Sequence, residues 1–286
     1  MTSTSLDRTD PSPPLRLERA RGRAEVGFKL RDGKTVLDRL FQEGQAKIRL
    51  PKSHGGEPTT AVLINTAGGI AGGDRLAYAA RFAAGTTAVV TSQAAERVYR
   101  SSATDGSLSG EVTTRIEVES GAFAEWLPQE TILFDGAALD RRLEVEMAAD
   151  ARLLMAETVV LGRAAMGERV ETCRLVDRFR IRRGGRLIFA DTLRLEGEAG
   201  AILAGTATGR GATALSTVLL VAPDAEARVE ALREVLEGCG AEVGVSGWDG
   251  MLCLRLAHAS ARTLRDDLVR IMLHIRRADL PRVWSC

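Results

Sequence analysis

Three stretches concentrate the residue types that do chemistry. The first, "NTAGGIAGGDRL" (Asn65 to Leu76), sets Gly68, Gly69, Gly72 and Gly73 ahead of Asp74 and Arg75. Glycine at that density lets a backbone approach a phosphate, with a helix N-terminus behind it to hold the charge. A P-loop needs Lys-Ser or Lys-Thr after its last glycine, and a dinucleotide loop needs GxGxxG between a strand and a helix. This stretch has neither. Leu76, Tyr78, Ala80 and Phe82 follow at period two and read as a strand. The glycines are therefore expected at a tight corner, where positive φ and close chain approach are needed.

The second stretch, "EWLPQETILFDG" (Glu125 to Gly136), brings Glu125, Glu130 and Asp135 close in sequence around Trp126 and Gln129. Paired carboxylates do acid-base work in glycan-acting enzymes, or pass a divalent cation, or stand as solvated strand charges. The third, "ETVVLGRAAMGE" (Glu157 to Glu168), places Gly162 and Arg163 between two carboxylates. An Arg so placed is a structural ion pair, or part of an interface or polar channel. No Ser, Cys or His stands in a nucleophile motif. Cys173, Cys239, Cys253 and Cys286 form no CxxC, and His54, His258 and His274 show no metal-ligand spacing, so no preformed metal cage is visible.

Composition narrows the function classes. The formal net charge is +1 and aromatics are 4%, which argues against nucleic-acid binding. No apolar run approaches the roughly 20 residues of a membrane-spanning helix. The N-terminal stretch lacks the apolar segment of a secretory signal, so a cytoplasmic location is expected. Ser, Thr, Asp and Pro there suggest a flexible tail over residues 1–23, followed by a single domain over 24–286.

The elements that must position these residues are mostly strands. In "EVTTRIEVES", Val112, Thr114, Ile116 and Val118 alternate with charges. Leu143, Val145 and Met147 repeat the pattern. Phe179 and Ile181 lead through Gly184-Gly185 into a returning strand, a hairpin signature. Three segments, from Ala84, Ser120 and Ala149, also echo one another. Each opens on a small residue and a turn residue (Gly85, Gly121, Asp150), climbs into an apolar strand, and carries a polar residue at one offset (Gln93, Gln129, Thr158). The spacings of 36 and 29 residues suggest stacked β layers or a β-solenoid, with a large antiparallel sandwich as the alternative. Past about residue 220 the period changes. Ala227, Val229, Leu232, Val235 and Leu236 mark one amphipathic helix, with Asp224 near its start and Gly238 after its end. Leu264, Leu268, Ile271, Met272 and Ile275 mark a second, capped by Ser260. The fold class expected is mainly β, a β-helix-like stack of strand layers over about 24–220 with two C-terminal α-helices within 221–286.

Taken in order, "NTAGGIAGGDRL", "TSQAAERVYRS", "EWLPQETILFDGA", "ETVVLGRAAMGE" and the ending "LPRVWSC" resemble the urease accessory protein D family (UreD, also called UreH), from about Glu25 to Trp284. Where that family commonly has Pro-Pro before its glycines, this chain has Thr66-Ala67. The resemblance implies a non-enzymatic maturation factor and metallochaperone. Such a protein binds apo-urease and acts with UreF and, through the complex, the GTPase UreG, to support nickel insertion at a carbamylated lysine. It implies a β-helix-like fold with an internal passage for transient nickel, and no tightly bound cofactor. It places the GTP site on a partner, in keeping with the failed P-loop test.

A transit path needs oxygen donors that release a metal, because several thiolates or imidazoles together would retain it. Asp74, Glu125, Glu130, Glu157 and Glu168 are the expected lining residues. Tyr99, Arg100 and Trp126 are the expected partner contacts, since aromatics and Arg dominate interface energetics. Gly68, Gly69, Gly72, Gly73, Gln129, Gly162 and Arg163 are expected as the structural motif. The alternative is a carboxylate-dependent glycan-acting enzyme on a β-helical frame.

Overall fold

The computed structural model describes residues 19–53, 57–102 and 108–285. Most of the expected tail, His54 and Cys286 lie outside the described residues. Strand β1 (Arg21–Arg31) starts inside the segment expected as tail and turns into β2 (Lys34–Gly44). β3 (Ala46–Arg49) and β4 (Thr59–Asn65) form a second antiparallel pair. Then come β5 (Arg75–Phe82), β6 (Thr87–Ser92), β7 (Glu96–Val98), β8 (Gly110–Val118), β9 (Phe123–Leu127) and β10 (Thr131–Leu133). β11 (Ala138–Met147), β12 (Arg152–Leu161), β13 (Thr172–Arg183) and β14 (Arg186–Glu198) complete the main body. Helix α1 (Ala199–Ala204) precedes β15 (Ala214–Val221), and α2 (Val229–Leu236), β16 (Glu242–Trp248), β17 (Met251–His258) and α3 (Ala261–Arg276) follow.

The strands form two mixed sheets. The first has the order β14-β13-β11-β8-β5-β1-β2. The second runs β16-β17-β15-β12-β9-β6-β4-β3, with β10 joined to β12 and β7. From β4 to β13 the chain passes back and forth between the sheets. Within each sheet the strands it lays down there pair in parallel: β5, β8, β11 and β13 in the first, β4, β6, β9 and β12 in the second.

The three echoing segments are neighbours in the second sheet. Thr87 pairs with Phe123 and Phe123 with Arg152, so the register reproduces the 36- and 29-residue spacings seen in the sequence. Repeated sequence here means repeated position, because each copy supplies one strand to one continuous core.

Burial follows from which faces are covered. β8 alternates because its outer face meets solvent, so Val112, Thr114, Ile116 and Val118 point inward and Glu111, Arg115 and Glu117 outward. β12 is buried along nearly its whole length, since the first sheet covers one face and helices cover the other. One core lies between the sheets and includes Phe28, Phe82, Ile116, Trp126, Leu153 and Met155. A second lies between the second sheet and the helices and includes Leu127, Leu154, Leu254, Leu264, Leu268 and Ile271. Fully burying one such side chain contributes about 1.5–3 kcal/mol, so the layers hold each other in place.

The hairpin of β13 and β14 turns at Gly184 and Gly185 with φ of 57° and 78°, the left-handed values that a two-residue turn requires. Helix α3 begins where Ser260 Oγ accepts from the Thr263 amide at 3.3 Å, and ends on Arg277 at φ 54°. Asp224 does not cap α2. It ion-pairs with Arg228 at 2.6 Å across a 3-10 turn, Glu226–Arg228, and the helix proper starts at Val229. Helices α2 and α3 are the two expected within 221–286, and the described residues add α1, whose six residues are too few to show helical periodicity.

Candidate functional site

Strand alternation brings four polar side chains into the space between the sheets. On β11, Leu139, Arg141, Leu143, Val145 and Met147 share the inward face. On β13, Leu175, Asp177, Phe179 and Ile181 do so, and Arg141 and Asp177 are direct register partners. From the opposite sheet, β9 presents Trp126 and β12 presents Met155, also register partners, with Glu157 one inward step further on.

These side chains form a buried network across the sandwich. Arg141 Nε donates to Asp177 Oδ1 at 2.9 Å and Nη2 to Oδ2 at 2.5 Å. Its Nη1 lies 2.7 Å from Glu157 Oε2 and also donates to the Thr131 hydroxyl at 3.0 Å. Trp126 Nε1 donates to Glu157 Oε1 at 2.7 Å. Glu157 Oε2 itself has the ion contact but no aligned hydrogen bond. Arg141, Glu157 and Asp177 are 9%, 6% and 1% exposed, and together carry one more negative charge than positive. Burial pushes the Glu157 carboxyl up despite the attraction of Arg141. Burial also opposes the charge on Arg141, but Asp177 and Glu157 outweigh it and hold its pKa above the usual arginine value.

The network stands between two cavities. One, of about 250 Å³, is bounded by Tyr78, Glu96, Thr114, Trp126, Arg141 and Glu157, and reaches the glycine corner at Asn65 and Gly68. The other, of about 560 Å³, has Glu157, Asp177, Asp191, Thr208 and Arg255 among its walls. Glu157 therefore faces both. In the smaller cavity Glu96 forms no ion pair with the described residues, although the Arg97 charge acts on it from a distance. Burial pushes its carboxyl up to about 7, and the Asn65 amide donates to it at 3.1 Å.

The other expected lining residues sit elsewhere. Asp74 holds the glycine corner closed, accepting from the amides of Ala20 and Ala71, each at 2.7 Å. Glu125 points to the helix side of the second sheet, where Arg276 of α3 donates to it at 2.6 Å. Glu130 pairs with Arg265 of α3 at 2.8 Å, and Gln129 accepts from the same guanidinium at 2.8 Å. Glu168 closes its own loop, accepting from the Arg163 side chain at 2.7 Å while Arg163 lies over the Phe134 ring. Gly162 takes φ 74° there, and a Cβ would stand 2.8 Å from the Glu168 carbonyl. Of the five carboxylates, Glu157 alone lines the inter-sheet cavities.

The carboxylate pair of a glycan-acting enzyme is likewise not assembled. Glu125, Glu130 and Asp135 are tied to Arg276, Arg265 and Arg100 respectively.

Trp126, expected at a partner surface, is instead core, 4% exposed, because β9 is an interior strand of its sheet. Tyr99 is half-buried. Its hydroxyl donates to the Gly68 carbonyl at 2.8 Å, and its ring occupies the space that a Cβ on Gly69 would take. Arg100 is exposed and pairs with Asp135. Gly72 and Gly73 complete the corner, with Gly73 at φ 87°.

Sequence reasoning missed Arg141, Asp177, Thr131 and Glu96. Arg141 and Asp177 carried a signal, since each interrupts the apolar face of an alternating strand. Among the described residues no group of three or more His, Cys, Asp or Glu side chains is placed to hold a metal ion. The network offers two carboxylates and a hydroxyl as hard oxygen donors, beside a guanidinium that carries the opposite charge.

Comparison with known proteins agrees with the order of motifs. The family profile described as UreD urease accessory protein matches residues 20–285. A protein of Xanthobacter autotrophicus named urease accessory protein UreD is 44% identical, over 99% of each chain. Its namesake in Rhizobium leguminosarum bv. viciae is 47% identical over 97% of this chain and 99% of its own. A third, from a Chelativorans species, is 43% identical over the full length of both.

Proposed function

Because the chain belongs to the UreD urease accessory protein family, we propose that it is a urease maturation factor and not an enzyme. It binds apo-urease in the cytoplasm. With UreF and, through the complex, the GTPase UreG, it supports nickel insertion into the urease active site. Nickel is its cargo, held transiently.

The observation that carries this reading is the position of Glu157, a buried carboxylate on the wall of two cavities inside the sandwich. The back-and-forth course of the chain from β4 to β13 is read as a β-helix-like stack, which leaves such space between the parallel-paired strands of the two facing mixed sheets. Oxygen donors suit a path because each holds the ion weakly enough to pass it on. Asp74, Glu125, Glu130 and Glu168 serve this path indirectly, by fixing the corner, the helices and the loop around it. Tyr99, on the glycine corner, and the exposed Arg100 next to it are the partner-contact candidates that the surface retains.

Deleting the gene in a host that makes urease tests the role. The expected result is a normal amount of urease protein that is inactive and nickel-poor. Wild-type urease activity in cells with no second copy of the gene would overturn the reading.

A further inference from the structure

Arg141 is an unusual wall for a cation path, since a guanidinium repels the ion that must pass it. Its position explains how both can hold. The guanidinium spans two carboxylates, Glu157 at 2.7 Å and Asp177 at 2.5 Å, which come from opposite sheets. Arg141 lines the smaller cavity, Asp177 the larger, and Glu157 both. The three side chains leave one negative charge uncompensated in a place that water hardly reaches. Such a charge is costly unless a counter-ion or a proton joins it. Glu157 Oε2 meets only the Arg141 guanidinium, at 2.7 Å and without an aligned hydrogen bond, although the residue is only 6% exposed.

We propose that Arg141 is a displaceable counter-ion: its guanidinium occupies the seat that a divalent cation takes between Glu157 and Asp177 on moving from one cavity to the other. When the arginine withdraws toward the smaller cavity, two carboxylates face each other with the Thr131 hydroxyl nearby, an oxygen-donor seat. When it returns, it expels the ion by charge repulsion. Trp126 holds Glu157 Oε1 through its indole N–H, so Oε2 stays aimed at Arg141 and the seat it fills. The proposal rests on the passage reading only for the identity of the cargo. The seat itself follows from the charge and the geometry.

The test uses the full-length chain and Ni²⁺ alone, measured by equilibrium dialysis. Arg141→Met removes the competing cation and is expected to bind Ni²⁺ at least about tenfold more tightly than the wild type. Arg141→Met combined with Glu157→Gln is expected to return to the wild-type level or below. A folded Arg141→Met chain with unchanged affinity would overturn the proposal. If that variant does not fold, Glu157→Gln decides, since it keeps shape and removes the surplus charge. In the wild type, Ni²⁺ should quench the part of the fluorescence that Trp126→Phe removes, and Glu157→Gln should abolish that quenching. Equal quenching in Glu157→Gln would overturn the proposal. The passage reading fails by a different result, namely fully nickel-loaded urease from cells whose copy has a filled cavity.

Discussion

The indole of Trp126 and the carboxylate of Glu157 are joined by a 2.7 Å hydrogen bond that ties adjacent strands β9 and β12 inside the sandwich. Trp126 thus orients the one expected lining carboxylate that faces the cavities. Trp126→Phe keeps an aromatic ring but removes the donor from a buried charged acceptor. A loss of about 1.5–3 kcal/mol is expected in denaturant unfolding, as for other hydrogen bonds to charged groups. No change in the unfolding midpoint would show that Glu157 finds another donor.

Glu125 and Arg276 join the second sheet to α3, at 6% and 2% side-chain exposure. Burial raises the Glu125 carboxyl even beside that arginine, so the pair holds the layers together under tension between desolvation and attraction. Arg276→Met leaves a buried carboxylate alone and should cost about 3–5 kcal/mol in unfolding free energy. Pairing it with Glu125→Met should recover most of that loss. A double variant as unstable as the single one would contradict the assignment.

Glu96 gives a pH dependence of defined sign. Its pKa is about 7 in the fold against an ordinary 4.5, because burial outweighs the help of Asn65. The folded state holds the proton more tightly, so Glu96 is without cost in acid. The penalty grows as pH rises from the ordinary value toward 7 and is complete above it. A tenfold difference in proton affinity between folded and unfolded chain is worth about 1.4 kcal/mol. Allowing for its partial exposure, Glu96→Gln should therefore stabilise the protein by about 2 kcal/mol at alkaline pH. The gain should vanish in acid, below the ordinary carboxylate pKa. Equal gains at both ends in thermal unfolding would point to packing instead of charge.

Strand β2 is the last strand of the first sheet among the described residues and exposes Leu37, Leu40 and Phe41, at 39%, 39% and 36%. Leu30, on neighbouring β1, is 44% exposed. An apolar edge strand favours association. The isolated chain is therefore expected to self-associate, and Leu37→Lys with Leu40→Lys to shift it toward monomer in light scattering. Monodisperse wild-type protein at working concentration would contradict this.

How much of this was legible in the sequence depends on the face in question. Period two located β8, β11 and β13, and the echo at Gly85, Gly121 and Asp150 suggested stacked layers, while only the structure shows its three copies as neighbouring strands in register. The C-terminal helix and its Ser260 cap were legible for the same local reasons. The lining was legible only for Glu157. Sequence neighbours such as Glu125 and Trp126 fall on opposite faces of one strand, so closeness in sequence put them together and the pleat parts them. Arg141 and Asp177 stand 36 residues apart, and only the parallel pairing of β11 with β13 makes them partners.

The proposed interior route for nickel is tested most directly by filling the smaller cavity and weighing the metal that reaches urease. Thr114, on β8, is 4% exposed and stands on the cavity wall. In cells carrying Thr114→Phe, with the variant shown to be folded and still bound to apo-urease, nickel per urease active site should fall to near that of the gene deletion. Fully loaded urease from the same cells would contradict the account.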